Sequence, residues 1–341
     1  MERTPITLNT VIRVSFFFTL IFAGIAFFSL LLGPASLEPV KTAKALLFGW
    51  YEGYEKLAPE ERTILFSIRL SRIIFAGLVG ASLSTAGVVF QALLRNPLAE
   101  PYILGVSGGA AVGAILSIIL GLSVISLATP LLAISGAALT VFLVFAIGKS
   151  KGRTDSTTLL LAGVIVNAFF SAVIMFLLSL SKSSDLHSIA FWLMGDLGAA
   201  NKMKIALISS FSFFGTGLVY TYARSLNLIV SGEETALQLG IDVERTKTIL
   251  IIAASAITGF AVAFSGIIGF VGLIIPHVMR MLFGPDHRLL IPAAFFCGAS
   301  FLVAADTVAR TVLPSVELPV GVITALCGAP YFIFLLKRRS L

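Results

Sequence analysis

Between Glu100 and Lys149 the chain runs for 48 residues without a charged side chain. A soluble fold has no place for such a run, whereas about 20 consecutive apolar residues are enough to cross a bilayer as a helix. Gly121, Ser123, Ser126, Thr129 and Pro130 interrupt it near the middle, as turn-forming residues do between two crossings. The run therefore reads as a pair of membrane helices. The rest of the chain agrees, with 57% hydrophobic and only 12% charged residues, about half the charge of a soluble domain. A soluble enzyme, a disordered tail, a secreted disulfide scaffold and a nucleic-acid binder are excluded together.

Uncharged runs elsewhere set the remaining spans. They cover 14–32, 73–94, 156–181, 205–223, a glycine-interrupted stretch from 248 to 276 that continues mostly apolar to 283, 289–305 and 318–336. Split at Gly266, Gly269 and Gly272, the fifth of these holds two spans. The total expected is ten, in a single all-α membrane domain covering 1–341. An even number places both termini on one side. The arginine and lysine bias makes that side cytoplasmic, since Arg13, Arg95, Lys149, Arg224, Arg245, Lys247, Arg280, Lys337 and Arg338 then fall in inner loops. The net charge of +7 accordingly points to headgroups and not to nucleic acid.

Two connections are longer than turns. Residues 34–66 contain Trp50 and Tyr51, which favour headgroup depth and suit an interfacial helix. Residues 224–247 contain the segment 232–240, Gly-Glu-Glu-Thr-Ala-Leu-Gln-Leu-Gly. Its acidic residues sit where a helix dipole favours them, and Gly240 is placed to end the helix. Ala236, Leu237 and Leu239 leave it partly apolar in a loop with no domain to bury it. A short helix of that kind wants a partner.

Other features are weaker. Gly77, Gly80, Ala81, Ser84 and Gly87 form a small-residue stripe, which marks a helix packed among others in lipid. Gly148-Lys149-Ser150 copies the end of a phosphate-binding loop, but Leu143 stands where the first glycine should be, at the end of a helix. Gly105-Val106-Ser107-Gly108 copies an intramembrane protease pattern, with no base or oxyanion donors evident. Cys297 and Cys327 lie in apolar stretches, and His187, His277 and His287 are scattered; no metal site is expected. Arg69 and Arg72 share one helix face at the mouth of the second span. Asp306 and Arg310 sit four apart where the ninth ends. Pro97 and Pro101 stiffen the connection between spans two and three.

Taken together these motifs resemble the permease subunit of ABC importers for iron–siderophore complexes, haem and cobalamin, the FecCD type. The likeness runs over about residues 10–338. It rests on Arg69-Leu70-Ser71-Arg72, on residues 80–114, 159–164, 232–240 and 269–280, on Asp286-His287-Arg288, and on residues 305–310 and 317–336. Ser71 stands where the family often has proline.

The resemblance implies a type II importer fold of ten helices and a homodimer, or a pair with a closely related second permease. It also implies two ABC ATPase subunits, which hold ATP and magnesium, and a periplasmic or lipid-anchored binding protein. This chain would hold no cofactor or metal. Gly232, Glu233, Glu234, Ala236, Leu239 and Gly240 correspond to the ATPase-coupling segment. Arg69, Arg72 and Arg310 correspond to outward receivers for carboxylates of the binding protein. Asn96 and Leu98, with Ser156 and Thr157, correspond to a cytoplasmic gate. The expected location is the inner membrane of a prokaryote. Two other readings are an intramembrane serine protease using Ser107 and an ion-coupled secondary transporter. The second would need carboxylates near the bilayer midplane; Asp155, Asp185, Asp196 and Asp306 all fall at span ends or in loops.

Overall fold

A computed structural model describes residues 6–35, 37–48, 57–125, 127–150, 153–154, 156–198, 200–313 and 316–339. Trp50, Tyr51 and Asp155 lie outside the described residues. The first crossing, α1 (Leu8–Leu31), opens at Thr7, whose hydroxyl accepts the Thr10 N–H, a side-chain N-cap. A short α2 (Pro39–Phe48) follows. Next, α3 (Pro59–Arg62), a π-helical stretch Thr63–Arg69 and α4 (Leu70–Leu93) run on as one helix of 35 residues. Then come α5 (Val106–Ile119), α6 (Ala128–Gly148), α7 (Ser156–Leu180), α8 (Ser183–Met194) and α9 (Lys202–Thr221). After these, α10 (Ala223–Ser231) and α11 (Glu233–Gln238) lead into α12 (Val243–Ser265). The chain finishes with α13 (Val271–Phe283), α14 (His287–Ala309) and α15 (Val320–Arg339).

Among the described residues seven helical segments are long and apolar enough to cross a membrane; α5, α13 and the apolar part of α15 are shorter. Together they fill the ten expected places. One helix was not legible in advance: α8 lies in a connection that sequence alone treats as a turn. The phosphate-loop look-alike is disposed of locally, because Lys149 and Ser150 form a two-residue ladder with Arg153 and Thr154. No helix opens there to receive a phosphate.

The small-residue stripe occupies the centre. From Phe75 to Leu93 every residue of α4 is buried. Its neighbours come within backbone contact: a Cβ on Gly80 would meet the Gly298 carbonyl, and one on Gly87 the Gly272 carbonyl. Absence of side chains at these crossings is what lets α13 and α14 lie against α4, the packing rule for helices in lipid.

Two of the three shorter spans, α5 and α13, follow breaks in the helical chain. The segments before them, 94–105 and 266–270, are not α-helical and run among the helices. Each ends on a residue in the left-handed region, Gly105 at φ 73° and Phe270 at φ 69°. Glycine adopts that conformation freely, while phenylalanine needs outside support. Glu100 supplies it: Phe270 N–H donates to Glu100 Oε1 at 2.6 Å. Two residues on, the Tyr102 hydroxyl donates to the Ile268 carbonyl at 2.6 Å and accepts the Ile268 N–H at 3.0 Å. Irregular backbone inside a membrane protein survives only where its polar groups are satisfied in this way. The two broken spans are thus stitched to each other.

Candidate functional site

Two clusters of polar residues stand at opposite ends of α4. At its start, Arg69, Arg72 and Arg310 converge as the sequence suggests, yet they are not three free receivers. Arg69 is only 4% exposed, and its guanidinium donates to the carbonyls of Leu30, Leu31 and Ala35. Arg310, 3% exposed, donates to the Leu32 carbonyl at 2.8 Å and to both oxygens of Ser29, at 2.6 and 2.7 Å. These are orphan carbonyls at the C-terminal end of α1, where a helix dipole also favours cations.

The third arginine pairs with acids. Arg72 Nε donates to both carboxylate oxygens of Asp306, at 3.0 and 3.1 Å, and Nη1 reaches Glu317 at 2.6 Å. Arg310 Nε lies 3.5 Å from the same Asp306, four residues earlier in the helix. Asp306 is 1% exposed. The two residues that spacing places four apart at a helix end are therefore buried there. Asp306 is a buried hub for two guanidinium groups, because α4 and α14 pack so closely that both arginines turn inward. Only Arg72, through the half-exposed Glu317, retains a connection to the rim.

The other end of α4 gathers the remaining candidates. Asn96 and Leu98 follow directly, with Asn96 Oδ1 accepting the Leu98 N–H at 2.9 Å, an Asx-turn. Leu98 and Thr157 are exposed on separate segments; Ser156 opens α7, and its side chain lies outside the described set. The segment 232–240 is helical as expected. Gly232 precedes α11 at φ 153° and Gly240 follows it at φ 82°. The Ile241 N–H returns to the Ala236 carbonyl at 3.0 Å, a left-handed helix stop. Ala236 is fully buried, while Leu237 and Leu239 are 52% and 61% exposed. Glu234 is exposed, and Glu233 is paired with Lys247 at 2.6 Å.

Sequence reasoning missed Glu100, Arg95 and Lys247, because each acquires its role from a partner far along the chain. It also treated the acids as confined to span ends. Glu100 is in fact half-buried between the broken spans, and its hydrogen bond to Phe270 gives it a structural occupation. Ser107 is buried near the start of α5, beside Gly108, which lies against α7, and Gly109, which lies against α6. Among the described residues no cluster of His, Cys, Asp or Glu could hold a metal ion.

At the start of α14, Asp286 joins that helix to α10 through Asn227. Burial alone would raise its pKa, but hydrogen bonds from Arg288 and Asn227 hold the carboxyl down at about 2. Its side chain also caps α14 by accepting the Arg288 N–H. A depressed pKa means the stabilisation is complete above the ordinary carboxylate range and is lost as pH falls toward 2. Acid titration of the detergent-solubilised protein is expected to show this contribution flat from pH 8 to about 5 and declining below. An Asp286→Asn variant should lose that acid limb while sharing the rest of the profile.

Comparison with known proteins places this arrangement. A model of the FecCD transport family matches residues 20–338. The chain belongs to that family. Among relatives of this FecCD permease, the cobalamin import system permease protein BtuC of Halobacterium salinarum is 45% identical over 82% of this chain and 74% of that protein. The hemin transport system permease protein HmuU of Yersinia pestis is 39% identical over 81% and 84%. A solved inward-facing structure of a transporter assigned to the metal-chelate ABC type superimposes with TM-score 0.82 at 33% identity, over 96% of this chain and 99% of that one. PsaBC from Streptococcus pneumoniae, TM-score 0.56 at 20% identity, shares the fold. The FecCD chain is a multi-pass permease subunit of an ABC importer. The comparisons give no support to the protease or the ion-coupled reading.

Proposed function

We propose that this FecCD permease imports a bulky metal chelate of the cobalamin, haem or ferric-siderophore class. It works as a homodimer or beside a closely related permease, in a prokaryotic inner membrane with both termini cytoplasmic. Two separate ATPase subunits bind ATP and magnesium and drive it; the chain itself is not an enzyme and holds no cofactor. A periplasmic or lipid-anchored binding protein delivers the chelate. The observation that carries this reading is α11. It is a glycine-bounded helix anchored by Ala236 that turns Leu237 and Leu239 outward, an apolar surface suited to a cytoplasmic partner.

Mechanism follows from what the chain contains. Selectivity resides in the binding protein, and the permease offers a wide apolar route that releases its cargo readily. Rocking of two copies about their shared axis, driven through 232–240, opens the route alternately. Asn96, Leu98, Ser156 and Thr157 close its cytoplasmic mouth. For docking, the geometry favours Arg72: a carboxylate of the binding protein exchanges with Glu317, while Arg69 and Arg310 hold α1 and add positive field.

The test is reconstitution in proteoliposomes. The purified chain alone is expected to hydrolyse no ATP. With its ATPase subunit and loaded binding protein it should hydrolyse ATP and accumulate labelled chelate. Hydrolysis by the isolated chain, or uptake that a proton gradient drives without ATP, overturns the proposal.

A further inference from the structure

Arg95, Glu233 and Lys247 meet at one carboxylate oxygen. Lys247 Nζ lies 2.6 Å from Glu233 Oε1, and Arg95 Nη2 lies 3.9 Å from the same atom. Lys247, in the second turn of α12, is 3% exposed, and an ammonium buried so far needs a counterion. Arg95 follows directly on the end of α4 and holds φ at 48°, a conformation unfavourable for a residue with a side chain. Its guanidinium also donates to the Ile229 carbonyl in the last turn of α10, at 2.9 Å. Arg95 therefore straddles the α10–α11 junction, one residue before Asn96.

We propose that Glu233, held between Lys247 and Arg95, is the positioning link that carries movement of α11 to the loop beginning at Asn96. This rests on the transport function proposed above and says how one part of the chain obeys another. Ile241 N–H closes the end of α11 on the Ala236 carbonyl, and Lys247 of α12 holds Glu233 at its start, so α11 and the base of α12 move as a unit. A displacement of that unit reaches Arg95 through the shared carboxylate and the Ile229 carbonyl. From Arg95 it passes along the backbone to Asn96, whose side chain sets the turn at Leu98. The α11–α12 arm of the link is short and mostly buried; the Arg95 arm is longer and half-exposed. The second arm is therefore the one that salt screens.

The experiment measures chelate imported per ATP hydrolysed by the complete reconstituted importer: permease, ATPase subunit and binding protein. Arg95→Gly keeps the left-handed backbone available and deletes the guanidinium. It is expected to melt with the wild-type protein and to bind the ATPase subunit, while import per ATP falls about tenfold, a typical size for coupling between sites. The exchange Glu233→Lys with Lys247→Glu preserves the α11–α12 pair but presents a cation to Arg95. It should fold and be uncoupled as well. Wild-type import per ATP in both variants overturns the link. A wild-type complex that hydrolyses ATP without importing any chelate overturns the transport reading instead, and is recognised before any variant is made.

Discussion

Asp306→Ala is expected to destabilise the protein by about 3–5 kcal/mol, the usual penalty for removing one partner of a buried ion pair. Asp306 faces Arg72 at 3.0 Å and Arg310 at 3.5 Å; Arg310 is only 3% exposed, and Arg72 would keep Glu317 alone. Without the carboxylate, two like charges are left beside each other where α4, α14 and the end of α1 meet. Thermal unfolding in detergent should show a drop of many degrees. The double variant Asp306→Ala with Arg72→Met should recover part of it, because the charge next to the lost acid is removed too. If Asp306→Ala melts within a degree or two of wild type, the hub is not what holds these helix ends together.

Gly87→Ala is expected to be more damaging still. The added methyl would overlap the Gly272 carbonyl oxygen, so α13 must retreat from α4. Overpacking a core with soft neighbours typically costs about 1–3 kcal/mol; here the obstacle is backbone. Retreat would also break the hydrogen bonds from Gln91 Nε2 to the Gly272 and Leu273 carbonyls and strain the stitch at Phe270. No folded protein should be recovered from membranes. Gly217→Ala is the control: nothing lies within 4 Å of its added carbon, and a helical glycine replaced by alanine gains about 0.5–1 kcal/mol. Equal yields of the two variants would refute the close-packing account.

The membrane class, the span positions and the small face of α4 were legible in the sequence because each is a local property. Charge is excluded from lipid residue by residue, and a glycine stripe announces itself within two turns of helix. The same holds for 232–240, whose bounding glycines and apolar positions lie nine residues apart at most. The family likeness was readable for a related reason, since it rests on short contiguous motifs. What only the tertiary structure decided is who meets whom. Glu100 finds Phe270 across 170 residues, Arg72 finds Asp306 across 234, and Arg310 finds Ser29 across 281. Arg69 and Arg72, which spacing places on one helix face, take different partners: Arg69 clamps α1, as Arg310 does, and Arg72 pairs with Asp306 and Glu317. Spacing says which side chains share a helix face, whereas burial and partner depend on which helix ends are packed together, and that is set by the mutual fit of the faces after folding.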